Sequence, residues 1–259
     1  MHQPQISIII TVLNGGKTLN NCLQSIAEQT FLDYELIIVD GGSNDNTLEI
    51  INKSNGIVKK VVSVRPDIGL YAGLNVGVEL SIGKWLYFIG ADDKLYNSDT
   101  LLKVSEIINV QNSNTKVIVG SVDCVKQKKV LVPLLGSPYL MRHQVHHQGM
   151  FYEKNIFTNF SYTETMRIAS DYEFNLRLAL NNVPHKVMDV TVCSFGGDGI
   201  SENQFRQGYA EMQQVHSNLF RGAERKWVMS YFWLRRMIGF KLRQYNLSKV
   251  STILKRLFG

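Results

Sequence analysis

Long apolar runs are missing from this sequence: no uninterrupted stretch reaches the roughly 20 residues that a membrane-spanning helix needs. The first residues, Met1-His2-Gln3-Pro4-Gln5, lack the charged and apolar regions of a signal peptide. Cysteine is scarce too. Cys22, Cys124 and Cys193 are odd in number and far apart, which points to a reducing compartment and away from a cysteine metal cluster. Repeats and low-complexity tracts are absent. These absences predict a cytosolic protein, or one held at the cytosolic face of a membrane. What remains is an ordinary globular composition, 44 % hydrophobic and 19 % charged over 259 residues. That length suits one large α/β domain with elaborations, or two small domains.

Acidic residues are nearly missing from the C-terminal end. From Arg221 onward there are ten Lys or Arg and one acid, Glu224, whereas residues 1–220 carry a net charge of −3. The basic balance of the chain (+6) therefore belongs to residues 221–259 alone, which argues against a catalytic domain built to grip nucleic acid. Two phosphate-binding fingerprints are missing as well. No Gly-x-Gly-x-x-Gly follows the first apolar run, and Thr11 stands where a P-loop ending in Gly16-Lys17-Thr18 would need glycine.

The clearest positive signal is Trp85-Leu86-Tyr87-Phe88-Ile89-Gly90-Ala91-Asp92-Asp93, an apolar run closing on two carboxylates. Such a run reads as a buried strand, and ligands of open α/β sheets collect beyond the carboxyl ends of their strands. Adjacent carboxylates repel, and a hard divalent cation such as Mg²⁺ or Mn²⁺ relieves them while taking further ligands from water and a diphosphate. A turn or a helix cap is the plainer alternative.

Further strands are predicted at Ile6–Val12, Glu35–Asp40 and Val61–Arg65, alternating with helices that contain Leu19, Leu23 and Ile26, then Leu48 and Ile51, then Leu70, Leu74 and Val78. This alternation predicts a mostly parallel sheet with helices on both faces. Asp40 closes the second strand, where its carboxylate can accept from a nucleobase imide or a ribose hydroxyl, or else cap the next helix. After a helix near Ser98–Val110 the alternation weakens, so residues 113–220 read as a region built onto the sheet for a second substrate. His143, His146 and His147 fall in a loop-like stretch without cysteine or acid at ligand spacing, so hydrogen bonds to phosphate or sugar are expected there rather than zinc. In Ser170-Asp171-Tyr172-Glu173, Ser170 or Asp171 opens a helix, and a carboxylate there stays ionised and able to take a proton, or serves simply as a cap.

Taken in order, these blocks resemble the family 2 glycosyltransferases of the GT-A fold, of the bacterial surface-polysaccharide type. The matching residues are Ile6–Asn14, Ile37–Thr47, Arg65–Tyr71, Asn75–Gly77, Gly90–Asp93, His147-Gln148 and Ser170–Tyr172, within roughly residues 5–200. The resemblance implies a catalytic domain over residues 1–220, with a nucleotide-sugar half at 1–112 and an acceptor half at 113–220. It implies that Thr11, Val12 and Asn14, with Asp40 and the Ser43 block, hold the nucleoside, and that Asp67 lines the nucleotide pocket. Asp92 and Asp93 would stand at the family's Asp-x-Asp site with the divalent metal, Gly90 replacing the first acid of many members. Asp171 would be the general base of an inverting transfer, and His147 would face phosphate or sugar. The donor is expected to be a nucleoside-diphosphate sugar, by default UDP-linked, and the acceptor a glycan or a polyprenyl-diphosphate-linked saccharide.

The basic tail mixes Trp227, Tyr231, Phe232 and Trp233 with Arg235, Arg236, Lys241 and Arg243. Amphipathic helices of this kind lie in a membrane interface, which predicts a peripheral protein on the cytoplasmic face of the inner membrane. Packing on the catalytic domain or on a partner chain is the alternative. Two rival functions share the sheet: a nucleotidyltransferase, and a sugar-nucleotide-binding protein without catalysis.

Overall fold

The structure is a computed structural model, and it describes residues 2–54, 60–110, 114–133, 146–197 and 204–228, together with 230 and 234. In the first half strands and helices alternate as β1 (Ile6–Val12), α1 (Leu19–Ala27), β2 (Tyr34–Asp40), α2 (Thr47–Lys53), β3 (Lys60–Val64), α3 (Leu70–Leu80) and β4 (Trp85–Phe88). Then come β5 (Lys94–Leu95), α4 (Thr100–Val110), β6 (Val117–Cys124), β7 (Lys129–Leu131) and β8 (Met150–Glu153). The last elements are α5 (Ser170–Leu180), β9 (His185–Phe195) and α6 (Phe205–Leu219).

One sheet runs through both halves in the order β3-β2-β1-β4-β8-β6-β9-β5, with β7 beside β6. Its first four strands are parallel. Beyond β4 the pairing is mixed: β8 runs antiparallel to β4 and β6, while β9 is parallel to β6 and antiparallel to β5. The parallel arrangement expected from the alternation thus occupies the first half, and the weaker alternation after α4 corresponds to the antiparallel additions. β8 has four residues, and β9 interrupts its apolar positions with Lys186 and Asp189, so neither carries a strong strand signal.

The apolar runs of β1 and β2 are continuous because both faces are covered, and side chains of a strand point alternately to either side. Ile6, Ile8, Ile10, Leu36, Ile38, Trp85 and Tyr87 pack against α1, α2 and α4. Ile9, Ile37, Val39, Leu86 and Phe88 face the opposite way, against α3, α5 and α6. Ile8, Ile9 and Ile10 are wholly buried, each contributing about 2 kcal/mol by removal from water. This double burial fixes where the strands stop. Val12 lies level with Asp40, and Phe88 beside Ile9, so the chain leaves β1, β2 and β4 along one edge.

No helix among the described residues is long and apolar enough to cross a membrane. Of the basic tail, residues 222–228 are helical, Val228 is buried in the second core and Trp227 is exposed. Tyr231, Phe232, Trp233, Arg235, Arg236, Lys241 and Arg243, and His143 further upstream, lie outside the described residues.

Candidate active site

Where the parallel strands end, the chain turns sharply and its backbone donors must be satisfied. Asp40 does this for the turn after β2. Its Oδ1 accepts from the N–H of Gly42 (2.9 Å) and of Ser43 (2.8 Å), and its Oδ2 accepts from the Ser43 hydroxyl (2.6 Å). The Ser43 hydroxyl in turn accepts from the N–H of Asn14 (2.8 Å), whose side-chain oxygen accepts from the N–H of Asn44 (2.9 Å). Asn14 adopts a left-handed backbone (φ 54°), which asparagine tolerates better than most residues. Asp45 joins the lacing by accepting from Gly16 N–H at 2.9 Å.

Beside these turns lies a cleft of about 560 Å³, lined by Thr11, Val12, Asn14 and Lys17 from the first half and by His147, Gln148, Arg167 and Asp171 from the second. Among the described residues the carboxylates lining it are Asp92 and Asp171. Of the sites expected from sequence, Thr11, Val12, Asn14, Asp92, His147 and Asp171 are therefore brought together. Asp40, Ser43, Asp67 and Asp93 do not line the cleft. Asp40 is wholly buried, with both oxygens engaged by its own turn, so in this conformation it presents none to a nucleobase. Asp67 is exposed on the turn before α3 and has a left-handed backbone (φ 62°).

The two neighbouring acids have opposite surroundings. Asp92 is half-buried and opens onto the cleft, whereas Asp93 is 1 % exposed. Asp93 accepts from the N–H of Gly196 at 3.0 Å and of Gly90 at 3.2 Å, tying the end of β4 to the end of β9. Burial, and then the charge of Asp92, push its carboxyl up to about 7. Negative charge is thus crowded at this end of β4, a setting that favours an added cation. Among the described residues no group of three or more His, Cys, Asp or Glu could hold a metal alone. A divalent ion sharing Asp92 with a diphosphate needs no such group, because one protein carboxylate suffices for Mg²⁺. The residues present fit a metal of that shared kind, with Asp92 as the protein ligand and Asp93 as a support.

Asp171 sits in the first turn of α5 and lines the cleft. Its Oδ1 lies 2.9 Å from the hydroxyl of Tyr71 on α3, and that hydroxyl is also 2.7 Å from the carbonyl oxygen of Ile168. Tyr71 is buried, and burial followed by the Asp171 charge holds its phenol well above its ordinary value, so it stays a proton donor. Asn75, one turn further along α3, pairs with the backbone of Tyr162 through both its amide groups (3.0 and 3.1 Å). Helix α3 therefore joins the halves.

His147 is stacked on Phe88 and meets the Tyr162 hydroxyl at 2.7 Å through Nε2. Burial lowers its pKa to about 4, so the ring is neutral near pH 7. Gln148 joins His146 Nδ1 (2.8 Å) to Asp93.

The model of the family described as "Glycosyl transferase family 2" matches residues 7–171, more than half of the sequence, and its match closes on Asp171. The chain belongs to that family. A "PGL/p-HBAD biosynthesis glycosyltransferase" of Mycobacterium tuberculosis is 35 % identical to this family 2 glycosyltransferase over 208 residues, 77 % of this chain and 79 % of the relative. The "Poly(ribitol-phosphate) beta-N-acetylglucosaminyltransferase TarP" of Staphylococcus aureus is 30 % identical over 121 residues, covering 45 % and 36 % of the two chains. In fold, the enzyme is similar to S. aureus TarS 1–349 in complex with UDP (TM-score 0.70, 20 % identity), over 92 % of this chain and 73 % of that one. It is also similar to a mannosyltransferase of Pyrobaculum calidifontis in complex with GDP-Man and Mn²⁺ (TM-score 0.64, 13 % identity, 98 % and 81 % covered). The fold is thus of the GT-A type expected from the resemblance.

No role was expected for Tyr71, Lys17, Arg167 or Gln148, although Tyr71 and Gln148 stand inside matching blocks. Arg167 is exposed in the cleft four residues before Asp171. A basic residue just ahead of an acidic helix start is its one local signal.

Proposed function

We propose that this glycosyltransferase moves a sugar, with inversion, from a nucleoside-diphosphate sugar to a hydroxyl of a glycan or polyprenyl-diphosphate-linked saccharide, in building a surface polysaccharide. The observation that carries this reading is that Asp171, whose carboxylate meets the Tyr71 hydroxyl, lines the same cleft as Asp92 and the Thr11–Asn14 turn. Residues 1–112 hold the donor, with nucleoside against Thr11, Val12 and Asn14, and residues 113–220 receive the acceptor. UDP is the expected nucleotide. The crystallised TarS binds UDP and UDP-GlcNAc, and its fold is similar.

In the reaction the acceptor hydroxyl gives its proton to the Asp171 carboxylate while its oxygen attacks the anomeric carbon. The bond from that carbon to the diphosphate breaks, and the bonding electrons leave with the diphosphate. Lys17 and Arg167 line the cleft and neutralise charge growing on the leaving group. A divalent ion on Asp92, when bound, adds positive charge at the same place. Inversion follows from a single displacement, since Asp92 is assigned to the leaving group and, among the described residues, no further carboxylate lines the cleft as a nucleophile. The exposed Trp227, beside Arg225 and Lys226, begins a basic segment suited to anionic lipid.

The test incubates the protein with a panel of UDP-, GDP- and dTDP-sugars, with and without Mn²⁺, and follows nucleoside diphosphate release and thermal stabilisation. Release of a nucleoside diphosphate from one of them supports the assignment. Pyrophosphate released from a nucleoside triphosphate instead would make the protein a nucleotidyltransferase. Tight binding with donor unchanged after long incubation with acceptors would make it a binding protein.

A further inference from the structure

Helix α6 lies beyond residue 171, where the family match ends, and among the described residues none of it lines the cleft. It nevertheless holds the backbone on which Asp171 stands. Glu211, 9 % exposed, accepts three successive backbone donors: Arg167 N–H on Oε1 at 3.0 Å, then Ile168 and Ala169 N–H on Oε2 at 2.8 and 2.9 Å. Gln207, one turn earlier on α6, donates to Oε1 at 3.1 Å.

The residues so held come directly before α5. The capping residue of that helix, Ala169, makes no side-chain cap, and its own N–H is one of the three that Glu211 holds. A negative group there also suits the positive end of the helix dipole. Two more contacts fix α6 at this spot. A Cβ on Gly208 would stand 2.9 Å from Ile168 Cγ2, so the glycine lets the helix come this near. His216 Nε2 meets the Tyr172 hydroxyl at 2.7 Å.

We infer that Glu211 is a positioning residue for Asp171 and Arg167: it sets the path of residues 167–169, and through them the aim of the base in the cleft. The Ile168 carbonyl within this segment shares the Tyr71 hydroxyl with Asp171, so a shift of the segment disturbs both partners of that hydroxyl. The inference rests on reading Asp171 as the base. It makes Glu211 on α6 a support of the base from outside the cleft.

The test compares Glu211→Gln with Val215→Ala, which loosens the packing of α6 without touching the clamp. Glu211→Gln leaves one acceptor oxygen for three N–H groups, so amide hydrogen exchange at residues 167–169 should quicken about tenfold or more. Its kcat for nucleoside diphosphate release from the sugar nucleotide that wild-type protein turns over fastest should fall about 10- to 100-fold, as for a small misplacement of a catalytic group. Its dissociation constant for UDP with Mn²⁺ should stay within threefold. Glu211→Asp, which keeps the charge on a shorter arm, should fall between Gln and wild type. Val215→Ala should keep its exchange at 167–169 and its kcat within threefold of wild type despite a lowered melting temperature. Unchanged exchange in Glu211→Gln, or a kcat loss no greater than that of Val215→Ala, would overturn the inference. Should Asp171→Asn retain full turnover, the base assignment fails by itself, and the exchange data still decide whether Glu211 holds the segment.

Discussion

Asp40 at the end of β2 and Asp171 at the start of α5 are both acids at the edge of a secondary-structure element, and they are held in opposite ways. The partners of Asp40 are two and three residues away. Asp171 is held by a tyrosine 100 residues earlier, and its flanking backbone by a glutamate 42 to 44 residues later. The side of the cleft proposed for the nucleotide thus rests on turns at strand ends of a doubly covered parallel sheet. The side proposed for the base exists only once distant segments have packed. Local contacts cost little loop closure, whereas long-range ones must be supported by the surrounding core. Loss of one of these long-range contacts should therefore reach catalysis before it reaches nucleotide binding.

That contrast can be broken most sharply at Asp171 itself. Asp171→Asn should lower turnover by about 10³-fold, within the range for loss of a general base, while UDP affinity measured by calorimetry stays within threefold. Loss of binding together with turnover would mean that the two sides are not separable. Acid comes next. Burial lowers the pKa of His147 from 6.5 to about 4, so between these values the unfolded chain takes up a proton that the folded one refuses. Stability should accordingly fall as pH drops from 6.5 toward 4, by about 3 kcal/mol for this residue. His216, also lowered to about 4 by burial, adds in the same direction. The first half has a single histidine, the exposed His2. Hydrogen exchange on acidification should then open β8 and α5 before β1, and His147→Gln should flatten the pH dependence of unfolding.

At the nucleotide side, Asp92→Asn should abolish any gain in UDP affinity on adding Mn²⁺ and cut turnover about 10²-fold. Asp93→Asn should instead show mainly as a lower melting temperature. The smallest effect is expected at the bridge. Tyr71→Phe removes one hydroxyl and should cost about tenfold in kcat with donor KM unchanged, along with about 1 kcal/mol of stability.

The same contrast explains what could be read from sequence. Strands β1, β2 and β4 announce themselves because burial on both faces demands unbroken apolar runs, and the acids after them mark the edge where ligands gather. Asp171 is legible because a helix start has a local signature. Orientation was not legible. Asp92 and Asp93 are adjacent, yet one opens to the cleft and the other turns inward to the N–H groups of Gly90 and Gly196, one of which arrives from β9, a strand the pattern did not reveal. The role of Asp40 depends likewise on how its turn closes around it. Glu211 has no local signal, because its partners are backbone groups that no side-chain pattern encodes. Lys17 is the reverse case. Its neighbours Gly16 and Thr18 suggested a phosphate loop of the wrong class, and the lysine lines the cleft all the same.

Helix α3 rests on β1 with no clearance. A methyl group on Gly77 would come within 2.4 Å of Ile9 Cγ2, and one on Gly73 within 2.9 Å of Thr11 Cγ2. The seat of the helix that carries Tyr71, the partner of Asp171, is consequently set by the absence of two side chains. Attempts to retool this enzyme for bulkier sugars would do best to vary the cleft lining at Leu70, since widening the seat of α3 would displace Tyr71 and with it Asp171.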